Sequence, residues 1–172
     1  MTHLKTITDS DLFPNAKDIK RNNYTFQESS RAVIFDIQNN VALMKTGVYQ
    51  IHKLPGGTIE PGETSEQACL RECLEEVGYD VKITSELGYI DEYKDKRKEH
   101  RRSYCYIVKT VGEQKQLKLS KWEKDGKFEV VWTPLPQAIK LLQNDKPIDY
   151  DGNFILARDL EFLLQANKLL NI

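Results

Sequence analysis

The side chains best suited to chemistry in this chain of 172 residues are three glutamates that lie close together in sequence. Glu72, Glu75 and Glu76 fall in a segment with helical periodicity, where a rotation of about 100° per residue places them within roughly 100° of one another. Glutamates at this spacing repel one another. Glu75 and Glu76 also lie near the expected end of the helix, where the helix dipole disfavours negative charge. The arrangement therefore requires a compensating positive charge.

The loop before this helix adds further oxygen donors. Gly56 and Gly57 permit close approach of the backbone, and Glu60 and Glu63 bring two more carboxylates toward the same region. Hard cations such as Mg²⁺ prefer oxygen ligands and usually combine carboxylates with waters and substrate phosphates. The loop and helix are thus suited to holding Mg²⁺ against a diphosphate. The simpler alternative is a solvated acidic helix face, with Arg71 as its local counter-charge.

Short apolar runs predict the strands that must position this loop and helix. Residues 31–37 and 41–45 flank Gln38, Asn39 and Asn40, a pattern typical of a hairpin. The further expected strands are 48–54, which Pro55 ends, then 81–93, 103–111 and 128–133. The first 30 residues are polar and weakly patterned, so we expect an N-terminal arm or edge elements there and a single domain over 31–172.

Three segments have helical patterns. The central one spans 65–77, with Thr64 and Gln67 as a capping box and Gly78 as its stop. Its expected apolar stripe is formed by Leu70, Leu74 and Val77, opposite the glutamates. The other two helices are expected at 135–143 and 154–170. Strands interrupted by one helix and followed by others indicate an α/β fold with a mixed sheet packed between helices.

Composition excludes several classes of protein. Hydrophobic residues make up 40% and charged residues 30%, which excludes a disordered tail and a fibrous protein. With 25 basic and 26 acidic residues the net charge is −1, which argues against nucleic acid as a partner. No apolar run is long enough for a membrane span, and the first residues have no targeting pattern. The chain has three cysteines and no CxxC motif: Cys69, Cys73 and Cys105. We therefore expect reduced thiols in a cytoplasmic protein.

The glutamates and their loop resemble the Nudix hydrolase box, G-x5-E-x7-R-E-U-x-E-E-x-G-U, where U is a bulky apolar residue. Its seven fixed letters all match in register: Gly57, Glu63, Arg71, Glu72, Glu75, Glu76 and Gly78. Cys73 and Tyr79 stand at the two U positions, where both can pack as apolar groups. A chance match of this length is negligible. The resemblance implies a Nudix-like α/β/α sandwich.

The resemblance also implies roles for these residues. Glu72, Glu75 and Glu76 would be the catalytic carboxylates and principal Mg²⁺ ligands, with Mn²⁺ as a substitute. One of them, or a carboxylate on a later loop, would activate the attacking water. The backbone carbonyl of Gly56 or Gly57 would help to bind the metal.

Other residues would act around that centre. Glu63 and Arg71 would form a salt bridge that fixes the loop against the helix, and Glu60 would either contact the metal or face solvent. Glu123 precedes the last expected strand, where related enzymes place an additional glutamate.

Signals outside the box are weaker. His52 and Lys53 lie on a strand that leads to the loop, where each could contact substrate or occupy an exposed position. The basic run at 94–102 is either a solvated hairpin loop or a segment that steers phosphates toward the site.

We therefore expect a Mg²⁺-dependent hydrolase of the diphosphate linkage in a nucleoside diphosphate derivative, such as an oxidised or ordinary nucleoside triphosphate cleaved to monophosphate and pyrophosphate. One alternative is a pyrophosphatase of ADP-ribose or nucleotide sugars, although the proline that accompanies ADP-ribose specificity is missing between Pro61 and Pro134. Another is a module of the same fold that senses a nucleotide without cleaving it. The third is an RNA-binding protein. The sequence leaves a homodimer open.

Overall fold

A mixed β-sheet organises the molecule. The computed structural model describes residues 1–17, 19–48 and 50–171. Within these residues seven strands form one sheet, with the order β1-β5-β6-β2-β3-β4 and with β7 also paired to β3. The strands are β1 (His3–Thr8), β2 (Thr25–Phe35), β3 (Asn40–Thr46), β4 (His52–Lys53), β5 (Asp80–Lys94), β6 (Glu99–Val111) and β7 (Phe128–Pro134). β2 runs parallel to β6 and antiparallel to β3, which confirms the predicted hairpin.

Helices cover both faces of the sheet. They are α1 (Asp9–Leu12), α2 (Ser65–Glu72), α3 (Lys121–Asp125), α4 (Leu135–Asn144) and α5 (Tyr150–Leu170). A π-helical turn, Cys73–Val77, continues α2 and ends at Gly78, whose φ of 77° is left-handed. At the other end of α2 the side chains of Thr64 and Gln67 form the predicted capping box. Among the described helices none is both long and apolar enough to cross a membrane.

The alternation of side chains along β2 divides the core in two. Val33 and Phe35 belong to a cluster with α4 and α5, and Ala32 and Ile34 belong to a second cluster with α2. The sheet is therefore buried on both faces, and the prediction of an α/β/α sandwich is confirmed.

The predicted apolar stripe of α2 is wrong in part. Leu70 is 41% exposed, and the residues of α2 that meet the sheet are Ala68 and Cys69, followed by Cys73 and Val77 in the π turn. The prediction relied on large aliphatic side chains. Small side chains face the sheet instead, because they let the helix axis approach the strands closely.

The expected strand over 48–54 shortens to β4. The chain before it forms a closed loop, in which Thr46 N donates to Ile51 O at 2.9 Å and Ile51 N donates to Thr46 Oγ1 at 3.2 Å. Val48 is half exposed, and Tyr49 lies outside the described residues. These backbone groups are satisfied within the loop, so they do not extend the sheet ladder.

The N-terminal residues supply one edge of the sheet. β1 pairs in parallel with β5, where Gly88 lets the chain pass close: a Cβ there would lie 2.6 Å from the side chain of Leu4. The strand β2 already begins at Thr25. The domain boundary placed at residue 30 thus falls inside a strand, and it stays a prediction. The three cysteines are buried and free.

Candidate active site

The loop between β4 and α2 is fixed to the centre of the sheet. Ala32 N donates to Pro55 O at 3.1 Å, and Ser30 N donates to Gly57 O at 2.9 Å. Gly56 adopts a φ of 134°, and a Cβ at this position would lie 2.1 Å from Ser30 O. Only glycine allows the loop to approach β2 this closely.

The second glycine of the loop makes room for a carboxylate. A Cβ on Gly57 would lie 2.2 Å from Oε1 of Glu72. The missing side chain therefore lets Glu72, at the end of α2, rest its carboxylate against the loop backbone. The loop and the helix can thus approach each other closely at this point, because Gly57 leaves the space that the carboxylate of Glu72 fills.

Glu76 is the most buried of the box glutamates, with 1% of its surface exposed. Its Oε2 accepts from Gly56 N at 2.6 Å, and its Oε1 accepts from Lys53 Nζ at 2.9 Å. Burial, with a smaller contribution from a hydrogen bond with Glu123, raises the pKa of Glu76 to about 7 against the opposing effect of Lys53. This carboxyl group can therefore gain or lose a proton near neutral pH.

Arg71 is the compensating cation that the sequence requires. Its Nε and Nη2 donate to the two carboxylate oxygens of Glu63 at 2.7 and 2.9 Å, and Nη2 also donates to Thr58 O at 3.1 Å. Its Nη1 donates to Glu72 at 2.7 Å and to Glu75 at 3.3 Å. The hydrogen bond from Arg71 lowers the pKa of Glu63. One guanidinium thus links the loop to the helix and neutralises part of the glutamate cluster.

The end of the π turn is held by a later segment. Lys118 N donates to Glu75 O at 2.8 Å, and the side-chain amide of Gln114 donates to Val77 O at 3.2 Å. Carbonyls at the end of a helix have no partner within the helix, so these bonds satisfy them from outside. They also hold the backbone under the glutamates.

Glu123 joins the glutamates from α3. Ser120 caps this short helix, and its backbone N donates to Oε2 of Glu123 at 2.6 Å. Partial burial raises the pKa of Glu123, but hydrogen bonds from Glu76 and from Ser120 outweigh it and leave the pKa lowered. Glu123 is therefore the ionised member of the pair with Glu76.

The two candidate residues on β4, His52 and Lys53, have different surroundings. Lys53 points into the site, whereas His52 does not line it: His52 Nδ1 lies 3.0 Å from Oδ2 of Asp145, before α5. Successive side chains of a strand point to opposite faces, which explains the difference. The structure thus places Lys53 in the cleft lining and His52 outside it, and a contact of either residue with substrate stays a prediction. Glu60 is exposed and lies at the rim of the site.

These residues line one side of a cleft of about 610 Å³, a size typical of small-molecule sites. We call this side the acidic wall, formed by Glu60, Glu72, Glu75, Glu76 and Glu123. The basic wall is formed by the cationic side chains that line the same cleft from β2, from the turn between β5 and β6 with its flanking strands, and from α5: Arg31, Lys94, Arg97, Arg101 and Arg158. The basic run at 94–102 contributes three of its side chains to this wall. Sequence reasoning missed Arg31 and Arg158, since nothing in a single sequence relates β2 to α5.

The donor set of the acidic wall fits a hard divalent cation. Carboxylate and backbone carbonyl oxygens are the ligands that Mg²⁺ prefers. Within the described residues, no group of three acidic, histidine or cysteine side chains already converges on a metal position. The carboxylates instead contact cations of the chain: Arg71 Nη1 donates to both Glu72 and Glu75, and Lys53 Nζ donates to Glu76.

Comparison with known proteins places the chain. The family profile of the NUDIX domain matches residues 25–152. The diphosphoinositol polyphosphate phosphohydrolase 3-alpha of Mus musculus is 33% identical over 97 residues, which cover 55% of this chain and 54% of that protein. The 8-oxo-dGTP diphosphatase of Proteus vulgaris is 45% identical over 53 residues, which cover 28% of this chain and 47% of that protein. The chain spans about half the length of the curated relatives it matches.

A solved structure supports the same fold. The MutT protein from Methanosarcina mazei Go1 superposes with a TM-score of 0.61 at 15% identity, covering 87% of this chain and 99% of that chain. At this identity the likeness concerns the fold alone.

Proposed function

The chain belongs to the NUDIX family, and from this premise we propose that it hydrolyses the diphosphate linkage of a nucleoside diphosphate derivative. One observation carries the proposal: Glu72 and Glu76 are buried at the wall of an open cleft rather than solvated on a helix surface. Burying carboxylates is costly unless they are used or compensated. Both relatives are named for reactions of phosphorylated small molecules, which agrees with such a site.

We assign Mg²⁺ to Glu72, Glu75 and Glu76, with Mn²⁺ as a substitute. The carbonyl of Gly56 or Gly57 would assist: Gly56 O accepts from Lys53 Nζ at 3.4 Å and Gly57 O accepts from Ser30 N at 2.9 Å, and each carbonyl oxygen has a second lone pair. Bound Mg²⁺ supplies the positive charge that neutralises the phosphate oxygens. Glu60 is exposed at the rim, so its role is limited to outer contacts.

The chain's own residues supply orientation and a proton acceptor. Glu123 is ionised, faces the cleft and shares a hydrogen bond with Glu76, so we assign it as the group that accepts a proton from the attacking water. Lys53 balances Glu76 and lies beside the loop carbonyl. Arg71 and Glu63 act as positioning residues, because their bidentate pair fixes the loop that carries the ligands.

The experiment is a panel of nucleoside triphosphates, oxidised nucleoside triphosphates, nucleotide sugars and ADP-ribose incubated with the protein and Mg²⁺. Released phosphate and pyrophosphate are measured, with EDTA and the variant Glu76→Gln as controls. We expect Mg²⁺-dependent hydrolysis that the variant lacks. Nucleotide binding without hydrolysis of any compound would instead identify a nucleotide-sensing module.

The partner that this assignment implies is a small-molecule nucleotide. We infer a cytoplasmic location, supported by three cysteines that are free and buried, since thiols remain reduced in that compartment.

A further inference from the structure

Two buried arginines at the back of the cleft have unused hydrogen-bond donors. Nε of Arg31 and Nη2 of Arg158 are buried, and neither has a hydrogen-bond partner among the residues that the structure describes. Arg31 is 7% exposed and Arg158 is 1% exposed, yet both line the cleft. An unsatisfied buried donor is costly, and a guanidinium is the group that best fits phosphate geometry.

The neighbouring acids do not use these donors. Arg158 Nε donates to Asp159 at 2.7 Å, and its Nη1 donates to Glu92 at 3.2 Å. Arg31 Nη1 donates to Ser30 O at 3.0 Å. Each guanidinium is thus held in place by the hydrogen bonds of its other nitrogens. Because the two side chains are already ordered, they would lose little conformational entropy when an anion binds.

Further cations surround these two arginines. Burial, together with repulsion from Arg158 and Arg101, lowers the pKa of Arg31 to about 10, against the opposing effect of Asp159 and Glu76. Burial also lowers the pKa of Lys94, to which Arg101 and Arg158 contribute. Carboxylates also act on these cations: Glu92 and Glu99 pair with Lys94, Glu99 pairs with Arg101, and Glu92 and Asp159 pair with Arg158. The buried N–H groups that stay without an acceptor among the described residues are those of Arg31 and Arg158.

The cluster lies next to the glutamates. A Cβ on Gly56 would stand 3.0 Å from Arg31 Nη1, and the same glycine donates its N–H to Glu76. Arg31 therefore stands where the two walls meet.

We propose that Arg31 and Arg158, with Lys94 and Arg101 around them, form a subsite for a phosphate group beyond the linkage that is cleaved. The proposal rests on the proposed function, and it names the substrate class: a nucleoside triphosphate or a comparable polyphosphate, in preference to a nucleotide sugar, which carries only two phosphates. The unused donors on both arginines would be satisfied by the oxygens of this additional phosphate.

The first test measures binding without catalysis. Inorganic tripolyphosphate is titrated by calorimetry into the full chain in EDTA, for the native protein and for the variants Arg31→Lys and Arg158→Lys. Lysine keeps the charge but removes the unused donors, so we expect at least tenfold weaker binding for each. Arg102→Lys is the matched control, because Arg102 pairs with Asp91 outside the cleft lining. Equal affinity in all four proteins would overturn the subsite.

The second test measures selectivity in the presence of Mg²⁺. We expect Arg31→Lys and Arg158→Lys each to lower kcat/KM for a nucleoside triphosphate at least tenfold. The value of kcat/KM for a nucleotide sugar should stay within about twofold of that of the native protein. A uniform loss on both substrates would overturn the subsite but leave the proposed hydrolase intact. Absence of hydrolysis with retained, arginine-dependent binding of tripolyphosphate would overturn the proposed hydrolase and support the subsite. Circular dichroism verifies folding, and if Arg158→Lys does not fold, Arg31→Lys decides both tests.

Discussion

The two walls of the cleft solve the problem of buried charge in opposite ways. The acidic wall brings its own counter-ions: Arg71 serves Glu63, Glu72 and Glu75, and Lys53 serves Glu76. The basic wall also contains ion pairs, but it retains N–H groups that nothing in the described chain accepts. Within the described residues, the two walls thus differ in what is left over: two buried guanidinium nitrogens of the basic wall, on Arg31 and Arg158, have no hydrogen-bond partner.

The walls also differ in their origin along the chain. Four of the five acidic-wall glutamates lie between Glu60 and Glu76, in one loop and the helix that follows it. The basic wall combines β2, the turn between β5 and β6, and α5. A local segment can be recognised from its spacing, whereas a wall assembled from distant elements exists only in the folded chain. Four experiments test this difference between the two walls.

The largest effect is expected for Glu76→Gln, which removes one charge from the acidic wall. We expect a loss of kcat/KM of more than a hundredfold, because the Mg²⁺ ion that we propose there would lose a carboxylate ligand. The melting temperature should stay the same or rise slightly, since a neutral amide replaces a buried carboxyl and helix propensity is kept. Activity assays and thermal melts measure the two effects. Glu66→Gln, on the exposed side of the same helix, is the matched control and should leave activity unchanged.

Arg71→Ala tests whether the acidic wall depends on its internal counter-ion. Misplacing ligands by about 1 Å can cost on the order of a hundredfold in rate, and we expect a loss of that size, partly recovered at high Mg²⁺. Glu63→Ala should cost less, because Arg71 then still holds Glu72 and Glu75. The double variant should resemble Arg71→Ala alone. If the two losses were simply additive in free energy, the pair would not act as a unit.

The pH dependence of the free energy of unfolding tests the environment of Glu76 in the acidic wall. Its pKa rises from an ordinary 4.5 to about 7 on folding, chiefly through burial. The folded state therefore binds this proton more tightly, and the resulting stabilisation is complete below pH 4.5 and lost as pH rises through about 7. For the metal-free protein we expect the free energy of unfolding to lose at most about 3 kcal/mol from this group.

Urea unfolding in EDTA between pH 5 and 8 measures this loss. Other carboxylates also titrate, so the informative quantity is the difference between the native protein and Glu76→Gln, which lacks the group. Parallel pH profiles for the two proteins would contradict the raised pKa.

The smallest effect on activity is expected for His52→Ala, because His52 lies outside both walls. It loses only the contact with Asp145, which we expect to cost about 1 kcal/mol of stability. Turnover should remain within about twofold of the native protein. Lys53→Gln, one residue away and on the cleft side, should lower turnover at least tenfold. Similar losses of turnover for the two variants would contradict the placement of Lys53 in the cleft and of His52 outside it.

The sequence predicted most of the fold and only one wall. The hairpin, the capping box at Thr64, the stop at Gly78 and the sandwich of helices around a mixed sheet depend on local patterns, and each is confirmed. The spacing of the box likewise indicated Glu72, Glu75 and Glu76, whose roles stay proposals. These features have in common that a few neighbouring residues determine them.

What the sequence could not reveal depends on burial and on long-range contacts. Cys69 and Cys73 pack against the sheet although larger apolar residues were available, because the sheet lies close to the helix. Arg31 is buried although charged residues are rarely inside. Its environment includes Arg158, far away in sequence, so periodicity carries no signal for it. His52 and Lys53 were indistinguishable until the strand direction was known.

The π-helical turn over Cys73–Val77 has a consequence for how this chain can evolve. A π turn holds one residue more than the corresponding α turn, so loss of one residue, such as Leu74, would let the helix relax to regular α geometry with both ends in place. The fold would survive the deletion. Glu75 and Glu76, however, would each stand one position closer to Glu72 and would no longer match their counter-ions. A change of one residue in length, with no change in core composition, would thus be enough to separate the box glutamates from their counter-ions.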